Sequence, residues 1–416
     1  MSWSIRTGRR TFIRSSALAA GTLLTARAAR AIPGANERIA VGIVGMGVRG
    51  SYHARSLGEL ASGKLANVDV TAVAEPWRLW RERAVATVEK AFGHKPAAFV
   101  RHTDLLEKGG VDAVVIATPD FWHVPVLLDA VKAGKDVYVE KPLSVTLEEA
   151  KAARDAVKAS KSVVQVGTQR RSDNISAAAR EFVRSGRLGK ISSVVGAYND
   201  DGPRWTRPNE CKQMKEADFD WKWYLRDLPD RPFNPRHVLE WKLFREFTMG
   251  CSGLLGCHFY DLVQFIMDCP WPASAVAQGG VFVYKDGRQV EDTFETLIEF
   301  PEEFILHYTT RLGNAFAPDN AIYGTNGTLK IEKGTFEGLG GTRGPNRLPD
   351  KPQKLAAAPD RPYPHMLNFL ECMRSRSEPV APIEAGYRHA LTSILAQEAM
   401  ITGRKLRYDR EKDAIV

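Results

Sequence analysis

The sequence predicts an α/β protein, in which a doubly wound parallel sheet is followed by an α+β domain with a large open, mostly antiparallel sheet. Apolar strands alternate with helical patterns in the first half, a glycine cluster follows the first strand, and β-rich stretches fill the second half. The 416-residue chain is long for one core and suits two. We assign residues 35–160 to the first domain and residues 161–416 to the second.

The first 31 residues are set apart from the fold. They contain the pair Arg9-Arg10, a weakly apolar stretch from Ala17 to Ala26, and a small-x-small cleavage site ending at Ala31. This pattern predicts a twin-arginine signal peptide, recognition by the twin-arginine export machinery and a periplasmic location. A basic N-terminal arm and an uncleaved lipid-facing anchor are the alternatives. The apolar stretch is too short to span a bilayer, which needs about 20 residues, so we predict no stable membrane insertion.

The basic charge is concentrated in the same segment. Residues 1–31 hold six arginines and no acid, which leaves 52 basic against 49 acidic residues, a net charge of +3. A net charge this small gives no reason to expect nucleic-acid binding. The five cysteines lack CxxC spacing, and we interpret them as mainly buried thiols rather than a disulfide framework or a metal site.

The first domain begins with apolar strands from Ile39 to Val44 and from Val68 to Ala74. Continuous apolar strands between amphipathic helices predict a parallel sheet covered on both faces. The later predicted strands are Val111 to Ala117, Asp136 to Val139 and Ser162 to Val166, and the helices include Val124–Ala133 and Leu147–Ala159.

The glycine cluster has the form G-x-G-x-x-G, with glycines at Gly45, Gly47 and Gly50. It follows a strand and opens a helix, which is the context of a Rossmann dinucleotide site. There the first glycine permits the tight turn, the second lets the pyrophosphate approach, and the third allows close helix–strand packing. A purely structural glycine turn is the alternative.

Glu75 ends the second strand, where an acid accepts hydrogen bonds from the adenosine ribose and repels a 2′-phosphate. This favours NAD, with NADP possible because Arg78 and Arg81 follow closely. Those arginines can equally be solvated charges on an exposed helix face.

Two further motifs fall at the carboxyl ends of strands, where such a sheet binds its ligand: Ala117-Thr118-Pro119-Asp120-Phe121-Trp122-His123 and Glu140-Lys141-Pro142. Together with the glycine cluster they resemble the glucose–fructose oxidoreductase, inositol dehydrogenase and MocA (Gfo/Idh/MocA) family. The resemblance covers essentially the whole chain after residue 31. It implies that Lys141 is the active-site lysine, which stabilises alkoxide charge on the substrate. The alternative is an ordinary surface lysine after a strand. The resemblance also implies cofactor contacts by Thr118, Pro119, His123, Glu140 and Lys141.

The segment from Gly250 to Asp261 resembles the family motif at the start of a helix that faces the nicotinamide. This match implies that His258 is the general acid/base. The alternative is a structural histidine whose hydrogen bonds are made within the helix around it. The family usually has an aspartate four residues earlier, and this chain has Leu254. Either His258 and Lys141 suffice, or an acid from the preceding loop substitutes, or the redox step is lost. Asp261 looks like a packing residue.

Candidate substrate contacts have less support. The stretch from Asp200 to Phe247 is rich in aromatics and arginines, which suit stacking on sugar rings. From it we select Trp205, Arg236 and Trp241, and from just past the strand predicted at Ser162 to Val166 we select Gln169 and Arg170.

The resulting hypothesis is an exported NAD(P)-dependent oxidoreductase that acts on a sugar or polyol hydroxyl and recycles a tightly held cofactor. An NAD-dependent glycosidase or lyase that oxidises its substrate transiently is one alternative. A non-catalytic sugar-binding protein with a vestigial cofactor site is the other. A broad exposed sheet face predicts a homo-oligomer.

Overall fold

The computed structural model describes residues 38–338 and 351–416. The predicted export signal, residues 1–31, lies outside the described residues. The described residues confirm the predicted fold class, because they form a parallel sheet that is followed in the chain by a mostly antiparallel sheet.

The parallel sheet has six strands in the order β3-β2-β1-β4-β5-β6. Its strands are β1 Ile39–Val44, β2 Val68–Ala74, β3 Ala97–Phe99, β4 Ala113–Ile116, β5 Asp136–Val139 and β6 Val164–Val166. Strand order reverses between β1 and β4, and the crevice at such a switch point is where this fold binds its ligand. Strand β6 lies beyond residue 160, so the sheet extends past the domain boundary predicted there.

Five helices connect these strands: α1 Val48–Ser62, α2 Arg78–Phe92, α3 His102–Lys108, α4 His123–Lys132 and α5 Leu147–Lys158. The predicted helices around Val124 and Leu147 are therefore present within one residue of their expected bounds. Both faces of the sheet are covered, which explains why its strands are apolar without alternation.

The second sheet has ten strands in the order β14-β13-β12-β11-β7-β10-β9-β8-β15-β16. They are β7 Ile191–Asn199, β8 Ser274–Gly280, β9 Thr293–Phe300, β10 Phe304–Arg311, β11 Ala321–Gly324, β12 Gly327–Lys330, β13 Thr335–Gly338, β14 Gln353–Lys354, β15 Leu406–Asp409 and β16 Ala414–Ile415. Strand β10 pairs in parallel with β7 and antiparallel with β9. The alternating apolar pattern of β9 and β10 leaves one face of the sheet buried and the other exposed.

The remaining helices are α6 Asn174–Arg184, α7 Pro208–Gln213, α8 Trp221–Leu225, α9 Pro235–Leu239, α10 Cys257–Met267, α11 Pro364–Ser375 and α12 Ile383–Thr402. Helix α12 joins the two halves, since Tyr387 packs in the core beside the parallel sheet and Leu395 packs beneath the second sheet. Helix α11 places Phe369 in the core with Leu57 of α1. The C-terminal residues therefore stabilise both domains.

Four of the five cysteines are buried and Cys211 is half-buried, and none forms a disulfide within the described ranges. Among residues 38–338 and 351–416, no helix has the length and hydropathy needed to cross a membrane.

Candidate active site

A cleft of about 470 Å³ opens at the switch point between β1 and β4. The first domain lines it with the glycine turn, Glu75 and Thr118, and the second domain lines it with Trp241 and His258. Residues far apart in the sequence thus meet at the carboxyl ends of the parallel strands.

The glycine turn is built as the motif requires. Gly45 has a φ of 84°, and a Cβ there would lie 2.7 Å from the carbonyl oxygen of Ala117. A Cβ on Gly50 would lie 2.0 Å from the carbonyl oxygen of Gly45. Gly47 precedes the first residue of α1 and lines the cleft, so the free N–H groups of the helix start point at the position of a pyrophosphate.

Glu75 is buried at the end of β2, and its carboxylate accepts hydrogen bonds from the main-chain N–H groups of Met46 (2.8 Å) and Trp77 (3.1 Å). Burial raises the pKa of Glu75 to about 7, against the effect of these hydrogen bonds. Arg78 pairs with Glu82 and Asp218, and Arg81 donates to the carbonyl oxygen of Glu75 (2.8 Å). Both arginines are therefore engaged outside the cleft lining.

Glu140 is held by two side chains of α1. Its Oε1 lies 2.6 Å from Nε of Arg49 and 2.8 Å from Nε2 of His53. Burial alone would raise the pKa of Glu140, but the Arg49 charge and the His53 hydrogen bond outweigh it and hold that pKa far below its usual range. Glu140 is thus an ionised anchor between β5 and the helix that follows the glycine turn.

Lys141 follows Glu140 and precedes Pro142 through a cis peptide bond. Its ammonium donates a hydrogen bond to the carbonyl oxygen of Leu254, 2.6 Å away. The ring of His123 contacts the carbonyl oxygens of Pro142 (2.6 Å) and Thr118 (3.1 Å), so His123 ties the two motif turns together. Pro119 also lines the cleft.

His258 lies in the first turn of α10 and lines the cleft. Burial, and then the nearby Lys141 charge, lower the pKa of His258 well below its ordinary value, so its ring is neutral at neutral pH and can accept a proton. A π-helical segment, Ser252–Gly256, precedes α10. The Leu254 side chain is 4% exposed and packs with Leu255 and Leu312, while its carbonyl oxygen faces Lys141.

Asp261 does not face the cleft. Both of its carboxylate oxygens accept from Nε of Arg171, at 2.9 and 2.8 Å, and Nδ1 of His389 lies 3.9 Å away. The residue is fully buried, so it packs α10 against its neighbours.

Several buried polar atoms of the lining have no partner within the described protein: Oγ1 of Thr118, Oε1 of Gln169 and Nδ1 of His258. Such groups are costly unless a ligand or water satisfies them. With the glycine cradle and the Glu75 carboxylate, the residues present fit a dinucleotide and a hydroxylated substrate.

The predicted substrate contacts divide into two groups. Gln169, Trp205 and Trp241 line the cleft, and Trp205 has a φ of 72° in the left-handed region. Arg170 instead pairs with Glu332 (2.5 Å), and Arg236 pairs with Glu240 (2.6 Å). Neither arginine belongs to the lining, because each finds a carboxylate partner elsewhere.

Residues 203–243, the covering segment, form a wall that sequence reasoning only partly identified. Trp205, Trp223 and Lys242 of this segment line the cleft. Several contacts tie it to the first domain, among them Arg101 with Asp220 (2.5 Å), Arg78 with Asp218 (3.3 Å), Arg226 with Glu149 (3.1 Å), and Nε1 of Trp122 with the carbonyl oxygen of Tyr224 (3.0 Å). The cleft is therefore closed on a side that the parallel sheet leaves open.

Asp120 belongs to the motif from Ala117 to His123, but it is not among the site residues predicted from the sequence. It lines the cleft, is 3% exposed, and accepts a hydrogen bond from Thr248 at 2.7 Å. Burial raises the pKa of Asp120, against the nearby charges of His123 and Lys141. An acid thus does lie near Lys141, on the first domain rather than in the loop before His258.

This fold and cleft define the class of NAD-binding oxidoreductases. Residues 39–168 match the oxidoreductase family with an NAD-binding Rossmann fold, GFO_IDH_MocA, and residues 227–407 match the C-terminal α/β domain of the same family. The chain belongs to this family, which confirms the resemblance seen in the motifs and the NAD-binding nature of the first domain.

Curated relatives match parts of the chain. A scyllo-inositol 2-dehydrogenase (NAD⁺) of Bacillus subtilis is 32% identical over 40% of this chain and 46% of its own length. An inositol 2-dehydrogenase of Rubrobacter xylanophilus is 38% identical over 54% of this chain and 65% of its own length. A glycosyl hydrolase family 109 protein of a Shewanella species is 25% identical over 72% of this chain and 66% of its own length. The matches span less than two thirds of each relative.

A solved structure shares the fold. The levoglucosan dehydrogenase complex with NADH and levoglucosan superposes with a TM-score of 0.66 at 20% identity, covering 89% of this chain and 99% of that chain.

Proposed function

We propose that this chain oxidises a hydroxyl group of a sugar or polyol with NAD as the hydride acceptor. The observation that supports this most strongly is the meeting of Lys141 and His258 at one end of the cleft that begins at the glycine turn. The inositol 2-dehydrogenases among its relatives and the levoglucosan complex among similar folds point to the same substrate class.

The residues divide the chemistry between them. The neutral ring of His258 accepts the proton of the reacting hydroxyl. The ammonium of Lys141, held by the Leu254 carbonyl oxygen, stabilises the alkoxide charge that develops on that oxygen. Bound NAD supplies the acceptor for the hydride that leaves the same carbon. One proton and one hydride thus leave the substrate, which becomes a carbonyl compound.

The chain compensates for Leu254 through its main chain. A leucine side chain cannot orient a lysine, but its carbonyl oxygen accepts the Lys141 hydrogen bond directly. Asp120 lines the same cleft, and the Lys141 charge lies close enough to oppose the rise that burial causes in the pKa of Asp120. The reaction therefore proceeds with His258 and Lys141, without an aspartate at residue 254.

We also propose that the cofactor is retained between turnovers. The covering segment closes over the cleft through the Arg101–Asp220 and Arg78–Asp218 ion pairs. Retention suits an exported protein, since export of a folded, loaded enzyme removes it from the cytoplasmic cofactor pool. Reduction of a second sugar would then regenerate the oxidised cofactor.

Export itself is proposed from the Arg9-Arg10 signal and its cleavage site. Changing both arginines to lysine keeps the charge but removes the recognised pair, so the precursor should accumulate in the cytoplasm. Fractionation of cells expressing both forms tests this. Normal amounts of processed protein outside the inner membrane would contradict the proposal.

A second function is favoured by one relative, the glycosyl hydrolase family 109 protein. Transient oxidation of a ring carbon acidifies its neighbour, so that a glycoside can eliminate its aglycone and the product can be reduced again. Release of free sugar from a glycoside without net accumulation of NADH would select this function over net oxidation.

A homo-oligomer is proposed from the outer face of the second sheet. Val276, Leu297 and Ile305 on β8, β9 and β10 are 38%, 44% and 47% exposed. These apolar side chains share the face with Glu295, Glu299, His307 and Arg311, and we propose that this mixed surface is buried against a second copy. Light scattering of the purified protein tests it, and a monomer at micromolar concentration would contradict it.

The cofactor proposal has a direct test. The purified protein is denatured and the released nucleotide is identified by mass. We expect near-stoichiometric NAD. Recovery of NADP, or of no nucleotide from protein that also fails to bind added NAD, would contradict the proposal.

A further inference from the structure

The reacting end of the cleft is bounded by a wall from the covering segment. Trp205 and Trp241 pack against the cluster formed by Leu254, Leu255 and Leu312. Leu254 is also the residue whose carbonyl oxygen holds Lys141. Residues adjoining Trp241 therefore lie close to the group that would contact the reacting hydroxyl.

Lys242 adjoins Trp241 within the short helical turn Trp241–Leu243 and lines the cleft. It is half-buried, and its ammonium lies 5.2 Å from the centre of the Trp241 ring. Throughout the described ranges, no carboxylate or other hydrogen-bond acceptor lies within bonding distance of that ammonium.

The other lysine and arginine side chains of the described lining each have a hydrogen-bond or ion-pair acceptor. Arg49 pairs with Glu140 at 2.6 Å, and Lys141 donates to a carbonyl oxygen at 2.6 Å. Arg207 lies 3.4 Å from Glu210. Lys242 is thus a half-buried cation of the lining with no hydrogen-bond acceptor of the described protein in contact with its ammonium.

Such an arrangement costs free energy in the ligand-free protein, because a half-buried charge loses part of its hydration and gains no hydrogen-bonded counter-charge in return. The pKa of Lys242 reflects this: burial, and then repulsion from Lys141, lower it to about 8, while Asp120 acts in the opposite direction. Arg207 and Arg204 add further positive charge. A bound anion would offset the cost that the protein itself leaves uncompensated.

We propose that Lys242 binds a carboxylate of the substrate, so that the site selects a sugar acid over the corresponding neutral sugar. This inference rests on the proposed oxidation of a sugar hydroxyl and names its substrate class. The cofactor phosphates are not the expected partner, since their site is the start of α1 at Gly47. The ammonium is a point charge, and a sugar carboxylate carries the single negative charge that would balance it.

The sugar ring has a place beside that contact. Trp205 and Trp241 offer apolar faces in the same wall, and His258 and Lys141 lie at the reacting end. A carboxylate at Lys242 would therefore fix which carbon of the ring reaches His258. Lys242 would act as a specificity-determining residue rather than as a proton-transfer group.

Binding measurements with matched sugars test the inference separately from catalysis. Calorimetric titrations would use the cofactor-loaded protein with D-glucuronate against D-glucose, and D-galacturonate against D-galactose. Lys242→Met removes the charge at similar length, and Lys242→Arg retains it. Cofactor content, measured in each variant after denaturation, shows whether the nucleotide site is intact.

We expect the acid of at least one pair to bind about tenfold or more tightly than its neutral partner. Lys242→Met should abolish this preference, and Lys242→Arg should keep much of it, with cofactor content unchanged. Absence of a preference in both pairs, or its persistence in Lys242→Met, would overturn the inference. Tighter binding of D-glucose 6-phosphate than of either acid would also overturn it, by assigning the anion to phosphate.

Failure of this inference can be told apart from failure of the proposed function. If neutral sugars reduce the cofactor and no acid is preferred, the oxidoreductase proposal stands and the sugar-acid selectivity is wrong. If an acid binds through Lys242 but no sugar reduces the cofactor, the selectivity stands and the redox function is wrong.

Discussion

The ammonium of Lys141 donates a hydrogen bond to the main-chain carbonyl oxygen of Leu254 across a distance of 2.6 Å. The two residues come from different domains and lie 113 positions apart in the chain. The contact depends on the backbone of the π-helical segment Ser252–Gly256 and not on the side chain at residue 254. It therefore explains how the lysine can be held in a chain that lacks the usual aspartate.

Leu254→Asp should not raise turnover, since the lysine already has its acceptor. It should lower stability by about 1–3 kcal/mol, because a polar group replaces a leucine that is 4% exposed among apolar side chains. Leu254→Asn is the matched control that introduces polarity without charge. Chemical denaturation and turnover would be measured together. A gain of activity in the aspartate variant alone would show that the missing acid limits the natural protein.

Gly47→Val should abolish cofactor retention with the fold intact. The new side chain would occupy the approach of the pyrophosphate, and its Cβ would lie 3.2 Å from the Trp80 ring. Gly202→Val is a suitable control, because a Cβ on Gly202 meets nothing within 4 Å. Circular dichroism and nucleotide content would be compared. Stoichiometric dinucleotide in the folded Gly47 variant would place the site elsewhere.

The sequence predicted the fold well where the signal is local. The bounds of β1 and β2 follow from continuous apolar residues. Likewise, the glycine turn lies where its spacing after β1 indicated. The short strand β6 pairs with β5 from beyond residue 160, so the parallel sheet continues past the boundary predicted there.

The site was harder to predict where long-range partners decide it. Arg170 and Arg236, predicted as substrate contacts, pair with Glu332 and Glu240, and no local pattern in the sequence indicates these partners. Lys242 belongs to no motif, and only its half-buried place in the cleft lining, without a hydrogen-bond acceptor, distinguishes it from a surface lysine. The replacement of a side-chain contact by the Leu254 carbonyl oxygen likewise has no sequence signal.

Arg101→Ala should speed the loss of bound nucleotide. Arg101 pairs with Asp220 at 2.5 Å and so ties the covering segment to the first domain. We expect a several-fold faster dissociation rate, since an exposed pair contributes about 1 kcal/mol or less. Arg361→Ala removes a comparable exposed pair with Glu371 (2.6 Å) outside the cleft lining and serves as the control. Equal release rates in both variants would show that the segment does not retain the cofactor.

Substrate oxidation should remain fast as the pH falls through the ordinary histidine range. The pKa of His258 is lowered by burial and by the Lys141 charge, so its ring stays neutral below about pH 6.5. Lys141→Gln removes the charge and should move the acidic limb of the rate profile to higher pH, even though the rate itself falls. A natural profile that already declines below pH 7 and does not shift in the variant would contradict this assignment.

Reduction of the bound nicotinamide in a single turnover tests the proposed chemistry most directly. The loaded protein is mixed with a panel of neutral and acidic sugars, and the near-ultraviolet absorbance of the reduced cofactor is followed. With the sugar that reacts, His258→Ala should slow reduction by roughly two to four orders of magnitude at unchanged cofactor content. Lys141→Ala should have a similar effect, and the double variant should lose less than the product of the two. Equal rates in His258→Ala and the natural protein would contradict the proton-transfer role, and a natural protein that no sugar reduces would contradict the oxidoreductase itself.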